Sequence, residues 1–191
     1  GRPVVIPEDL GPIRAVAVGA NRHLCILQAG DGRVRCFGRA LADDIPLPEV
    51  PMQQISSGFD FSCGLRADTG RPICWGQADF GVLAAIDTPL RSLDSGVSAT
   101  CGIALMDNHI VCWGEDIAGQ LDPPDGEFTQ VSVGGYTGCA IDTDNGISCW
   151  GLGRADDANQ YGQAIPPGGE FLSVSVGAAH ACAVTVERGI V

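Results

Sequence analysis

Five cysteines recur along the chain at nearly constant intervals: Cys25, Cys63, Cys101, Cys139 and Cys182 stand 38, 38, 38 and 43 residues apart. A second series, Cys36, Cys74, Cys112 and Cys149, follows the first four by 11, 11, 11 and 10 residues. Self-similarity at a period near 38 residues marks a repeat architecture, in which one supersecondary unit is copied and stacked. Other positions keep the same phase. Each second cysteine precedes an aromatic residue and a glycine, the aromatics being Phe37, Trp75, Trp113 and Trp150. Ahead of each first cysteine an alternating segment closes on a glycine: Gly19, Gly58, Gly96, Gly134 and Gly177. Alternation signals a half-buried strand. The unit is therefore a strand ending in Gly, a strand carrying Cys, a tight turn, a strand carrying Cys and an aromatic, and a looser Pro-bearing connection.

The segments between paired cysteines read Gly30-Asp-Gly32, Asp68-Thr-Gly70, Asp107-Asn108 and Asp144-Asn-Gly146. These are hairpin chemistries, because Gly, Asn and Asp tolerate positive φ. A hairpin centred there sets the two cysteines opposite one another, with Cα atoms about 4.5–5.5 Å apart, inside the span a disulfide bridges. The pairing this predicts is Cys25–Cys36, Cys63–Cys74, Cys101–Cys112 and Cys139–Cys149, each worth roughly 2–3 kcal/mol in the loop-entropy model. Zinc and redox sites favour cysteines two to four residues apart; metal ligation and reduced buried thiols stay open as alternatives. Disulfides at this density belong to an oxidising compartment, so an extracellular or cell-surface location is expected. Cys182, the ninth cysteine, is left over: a free thiol, a thiol with a partner outside this sequence, or an intermolecular one.

With 191 residues, 45% of them hydrophobic, the chain is long enough for one domain with a real core. Its 27 Gly and 12 Pro and its short apolar runs favour an all-β fold. No run reaches the roughly 18 apolar residues of a membrane span, and no charged-then-apolar leader is present, so a secretion signal is expected to have been removed or to lie outside this sequence. The formal charge of −12 and pI of about 4.4 argue against nucleic acid or anionic membranes as partners, since phosphate binding needs a basic face.

The segments "VSVGGYTGCAIDTDNGISCWG" and "VSVGAAHACAV", with "DIAGQL" at 116–121 and "NQYGQ" at 159–163, resemble the regulator of chromosome condensation repeat. Cysteine pairs followed by Trp-Gly are similar to its secreted branches, among them crinkly-type plant receptor kinases and bacterial exported proteins. The resemblance covers nearly the whole chain and implies a β-propeller whose blades are units of roughly 13–50, 51–88, 89–126, 127–168 and 169–191, with 1–12 a candidate to complete the last. It does not carry a site. The founding member acts on a small GTPase in the nucleus, and the secreted beta-lactamase inhibitor protein II binds a protein through loops, but neither site can be placed residue by residue here. What it implies is a scaffold for binding. Two arrangements are open: a closed ring of five blades in which the N-terminal "RPVVIP" strand completes the last, which we expect, or a section of a longer array of about seven.

The remaining motifs are weak. Asp142, Asp144 and Asn145 resemble the start of a calcium loop, but Gly146 comes too early and no glutamate stands at the twelfth position, so a turn is expected. His23 and His180 lie two residues before a first cysteine and His109 sits in a turn; a packing or strand-end role fits them. No serine lies in a Gly-x-Ser-x-Gly elbow, and "GLGR" at 151–154 lacks the third glycine of a dinucleotide loop. The tryptophans would form a carbohydrate-stacking ring if exposed; their fixed phase favours packing between blades. Acidic residues gather in the connections, at Asp43-Asp44, Asp79, Glu115-Asp116, Asp122 with Asp125, and Asp156-Asp157. The longest connection, Leu152 to Glu170, holds Arg154, Asp156, Asp157 and Tyr161 and is the candidate binding loop. The expectation is a secreted module that binds a protein or glycan through its loops, uses no cofactor or metal and catalyses nothing. The alternative is a structural subunit of an extracellular filament, coat or appendage, joined by strand or thiol exchange at an incomplete blade. An enzyme site assembled across blades ranks third. No Asn-x-Ser/Thr acceptor for N-glycosylation is present.

Overall fold

Each unit folds as its alternation dictates: an inner strand, a sharp corner, a middle strand, a hairpin turn and an outer strand. The computed structural model describes residues 6–38, 46–77, 81–84, 86–153, 162, 164–187 and 189–191, and every regular element among them is a strand. Blade 1 is β1 (Ile13–Gly19), β2 (His23–Gln28) and β3 (Val34–Gly38). Blade 2 is β4 (Met52–Ser57), β5 (Phe61–Arg66) and β6 (Pro72–Gly76). Blade 3 is β7 (Leu90–Ser95), β8 (Ala99–Ala104) and β9 (Ile110–Gly114). Blade 4 is β10 (Phe128–Val133), β11 (Thr137–Asp142) and β12 (Ile147–Gly151), and blade 5 is β13 (Phe171–Val176) with β14 (Ala181–Thr185). The first four are three-stranded antiparallel meanders and the fifth is two-stranded.

Hairpin chemistry sets the register. The left-handed residue of the four turns is Gly32, Gly70, Asn108 and Asn145, with φ between 59° and 69°, a region open to Gly and Asn. The stretch that resembles a calcium loop is held by its own carboxylate, since Asp142 Oδ1 accepts from the N–H groups of Asp144 (2.9 Å) and Gly146 (2.8 Å). These turns pair Cys25 with Cys36, Cys63 with Cys74, Cys101 with Cys112 and Cys139 with Cys149, and all four pairs are disulfides with Cα atoms 4.0–4.1 Å apart.

A three-stranded sheet cannot bury its own faces, so the blades stack. Cys25 and Leu27 of blade 1 pack under Met52, Ile55 and Trp75 of blade 2. In the same way Cys63 and Leu65 meet Leu90, Leu93 and Trp113, Cys101 and Ile103 meet Phe128, Val131 and Trp150, and Cys139 and Ile141 meet Phe171 and Val174. Polar side chains reinforce each seam. Gln54 and Gln130 each clamp both backbone groups of a residue one blade ahead, Leu93 and Val174. Asp94 accepts from the hydroxyls of Ser56 and Ser132 (both 3.0 Å) and the N–H of Val133 (2.9 Å), tying together blades 2, 3 and 4. Buried His23 brings Nε2 to 3.2 Å from both the Phe61 carbonyl oxygen and Ser62 Oγ.

The end blades differ from those between. Ile13 and Val16 occupy the places of Phe171 and Val174, yet they are 44% and 56% exposed where the latter are 1% and 4%. On the far side Cys182 is exposed, whereas Cys25, Cys63, Cys101 and Cys139 are wholly buried. A ring closed between blade 5 and blade 1 would cover these positions, so the described residues form an open arc rather than the closed five-blade ring expected above. Of the "RPVVIP" stretch only Ile6 and Pro7 are described, and neither is in a strand. Beside β14 stand Ile190 and Val191 instead: Ile190 bridges to Val184, and Val191 exchanges two hydrogen bonds with Ala183.

Two predictions follow from the seams. Burial lowers the pKa of His23 below its ordinary 6.5, against the opposing pull of the Phe61 carbonyl and the Asp60 carboxylate. The unfolded chain therefore binds this proton more readily, so stability is full above pH 6.5 and falls as the pH drops through that value toward the folded pKa. Urea midpoints taken from about pH 8 to about pH 5 fall in the native protein and fall less in His23→Phe, which copies Phe61 of the next unit. Asp94→Ala strands three donors and costs about 2–4 kcal/mol, read in the same denaturation, whereas Asp94→Ser, matching Ser56 and Ser132, loses less.

Candidate functional site

The five corners between inner and middle strands converge on one mouth. Val18-Gly19-Ala20, Ser57-Gly58-Phe59, Ser95-Gly96-Val97, Val133-Gly134-Gly135 and Val176-Gly177-Ala178 line a single open cavity of about 330 Å³ on the arc's axis. The corners of blades 1 and 2, 3 and 4, and 4 and 5 are hydrogen-bonded blade to blade: Ala20 N–H to Gly58 O (3.2 Å), Asn21 N–H to Phe59 O (3.1 Å), Val97 N–H to Gly134 O (3.0 Å) and Gly135 N–H to Gly177 O (3.2 Å). This close approach is why glycine recurs there. A Cβ on Gly96 would lie 2.0 Å from Gly134 O, and one on Gly134 would lie 1.9 Å from Gly177 O.

The lining is mostly apolar. Phe59 is 43% exposed on its corner, and Tyr136, next to the lining residue Gly135, is 37% exposed. Asn21 Nδ2 donates to Asp60 Oδ1 and ties the first two corners side chain to side chain. The mouth thus offers flat apolar surface, the Phe59 ring and a rigid backbone frame, with a second exposed aromatic, Tyr136, on a corner that lines it, which is the chemistry of a binding surface.

The candidates singled out in the sequence lie elsewhere or apart. Trp75, Trp113 and Trp150 are buried between blades, with Trp113 Nε1 donating to Val82 O and Trp150 Nε1 to Gln120 O. His109 is in its hairpin turn, Nδ1 3.0 Å from Asp107 O. His23 is in the first seam, and His180 lies exposed beside Gly177. Arg154, Asp156, Asp157 and Tyr161 fall outside the described residues, as do Asp43, Asp44 and Asp79. Among the described residues no three His, Cys, Asp or Glu side chains gather in a metal-holding cluster. The groups whose pKa is displaced are scattered: besides His23, Asp68 is lowered to about 2 by its hydrogen bond from Arg66 in an exposed turn. Phe59 and Tyr136 went unselected in the sequence. Their signal was the corner itself, where the residues after each aligned glycine vary freely between fixed strands.

Repeated antiparallel sheets packed face to face about an axis define a β-propeller. Solved structures with the same arrangement include the ectodomain of the receptor kinase CR4 from Physcomitrella patens (27% identity, TM-score 0.77, 93% of this chain and 48% of that one). They also include the CRINKLY WD40 ectodomain of the Arabidopsis thaliana receptor kinase ACR4 (23%, 0.74, 95% and 63%) and yeast RCC1 (Prp20) bound to Kap60 (16%, 0.71, 92% and 54%). The fold is that of an RCC1-like repeat propeller. The chain spans about half to just under two thirds of the length of these structures. No family model and no curated protein matches it.

The glycine frame is directly testable. Gly134→Ala drives a methyl group into backbone that has no rotamer to relax, and should cost about 1–3 kcal/mol in thermal or urea denaturation. Gly168→Ala, whose Cβ meets nothing within 4 Å, is the neutral control.

Proposed function

We propose that the chain is an extracellular, non-catalytic protein-binding module whose recognition surface is the axial mouth. The observation that carries this is the pair of exposed aromatics, Phe59 and Tyr136, on corners braced by inter-blade hydrogen bonds. Rigid aromatic anchors around an apolar depression are what interface hot spots are made of. Four disulfides support the extracellular placement, as do the receptor ectodomains of the same fold. Protein recognition is supported by yeast RCC1, solved with Kap60 and described with its binding to Gsp1p and histones.

To test this, the immobilised protein is exposed to extracellular and cell-surface proteins alongside a Phe59→Ala/Tyr136→Ala double variant of unchanged melting temperature. A partner retained by the native chain and lost at least about tenfold by the variant supports the mouth; a variant that keeps every partner overturns it.

A further inference from the structure

A buried histidine stands at the edge of the mouth. The His23 ring, 1% exposed, lies over Gly19, where a Cβ would fall inside it, and Gly19 lines the mouth. Its Nε2 is 3.2 Å from both the Phe61 carbonyl oxygen and Ser62 Oγ. A carbonyl oxygen only accepts, so Nε2 carries the proton and Nδ1 of the neutral ring is a bare lone pair. That Nδ1 is buried with no hydrogen-bond partner among the described residues. A second proton would make it an N–H without an acceptor and bring a positive charge into the seam, where burial disfavours it. The charged groups around the ring are few. Asp60 favours protonation by its charge and is engaged by Asn21 Nδ2; Arg22 precedes the ring on its own blade. Its other neighbours, Gly19 and Gly38 of blade 1 and Phe61 and Ser62 of β5, carry no charge.

The same few atoms fasten the corner of blade 1 to that of blade 2. Phe61 O faces the imidazole and also accepts from Gly58 N–H (2.9 Å), while Gly58 O accepts from Ala20 N–H and Phe59 O from Asn21 N–H. The second corner lacks the matching bond to the third. Val97 N–H meets Gly134 O and Gly135 N–H meets Gly177 O, but no hydrogen bond joins Phe59 N–H to Gly96 O. Among the described residues, the loop that carries Phe59 is therefore braced to a neighbouring corner from the blade 1 side alone, beside the seam that His23 fills.

We propose that His23 is an acid-operated latch on the axial mouth: protonating it unfastens the corner of blade 1 from that of blade 2 and frees the loop bearing Phe59, so that a protein held at neutral pH is released in mildly acidic surroundings. Only this last step, release, rests on the reading of the mouth as the recognition surface. Once the corner opens, the ring reaches water and regains its ordinary pKa of 6.5, above its value in the closed seam. The open form therefore gains as the pH falls below 6.5, by up to about tenfold per pH unit for one proton, until the lowered pKa of the closed form is passed. Phe61, in the same place one blade on, covers Gly58 with a ring that takes no proton.

Amide exchange of the native chain, followed by NMR from about pH 7.5 to about pH 5 and corrected for the intrinsic pH dependence of exchange, reads the latch directly. Ala20 and Asn21 should lose protection by up to about tenfold per pH unit, in step with the titration of the His23 ring and with a shift of the Phe59 ring resonances. Val97 and Gly135, on corners without a buried imidazole, should keep theirs. In His23→Phe, Ala20 and Asn21 should stay protected throughout. Constant protection of Ala20 and Asn21 in the native chain, or an equal loss at Val97 and Gly135, overturns the latch without recourse to a variant; Phe59 resonances indifferent to pH overturn its reach to the mouth. No partner takes part in the measurement. A mouth that captures no protein thus removes the release step and keeps the latch, whereas constant protection removes the latch and keeps the capture surface.

Discussion

Everything in this molecule depends on one contact, repeated blade to blade: the apolar side of a cystine-bearing middle strand covered by the inner strand and aromatic of the next unit. A hairpin with one extra strand has too little apolar surface to offset the entropy of ordering it. The disulfide constrains the unfolded hairpin, and its sulfur also serves as part of the buried face. Cys63, Cys101 and Cys139 are wholly inaccessible because the following blade lies on them. Crosslink and core are the same atoms, so stability in this chain is a nearest-neighbour property. Blade 3 is held by blades 2 and 4, while among the described residues blades 1 and 5 are each covered on one side.

The parts of this that were legible in the sequence are the local ones. Strand alternation, the positive-φ residue of each hairpin and the facing cysteines follow from neighbours fewer than a dozen positions apart, and the phase of Gly and Trp follows from counting. What escaped was lateral. Nothing in the segment around Asp94 announces that its carboxylate receives Ser56 and Ser132 from blades on either side, 38 residues away in both directions. His23 has the same phase as Phe61, Ala99, Thr137 and His180, and only the seam shows that it reaches forward to the Phe61 carbonyl. Ring closure is illegible for a related reason: periodicity describes how one unit follows the next, whereas closure depends on the small rotation between them, which no residue encodes by itself.

The candidate surface illustrates the division of labour within a repeat. Glycine at the end of the inner strand is demanded by the carbonyl of the next corner at Gly58, Gly96 and Gly134, and by a histidine ring of the same unit at Gly19 and Gly177; the strands on both sides are demanded by packing. The residues between them, three in blade 1 and two in blades 2 to 4, meet few such demands. Ala20, Phe59, Val97, Gly135 and Ala178 hold one equivalent place, and Asn21, Asp60, Ser98, Tyr136 and Ala179 the next. Variation is free there because the frame is rigid. A binding function placed on the corners can change without disturbing the seams, which is the general advantage of loops carried on a fixed scaffold.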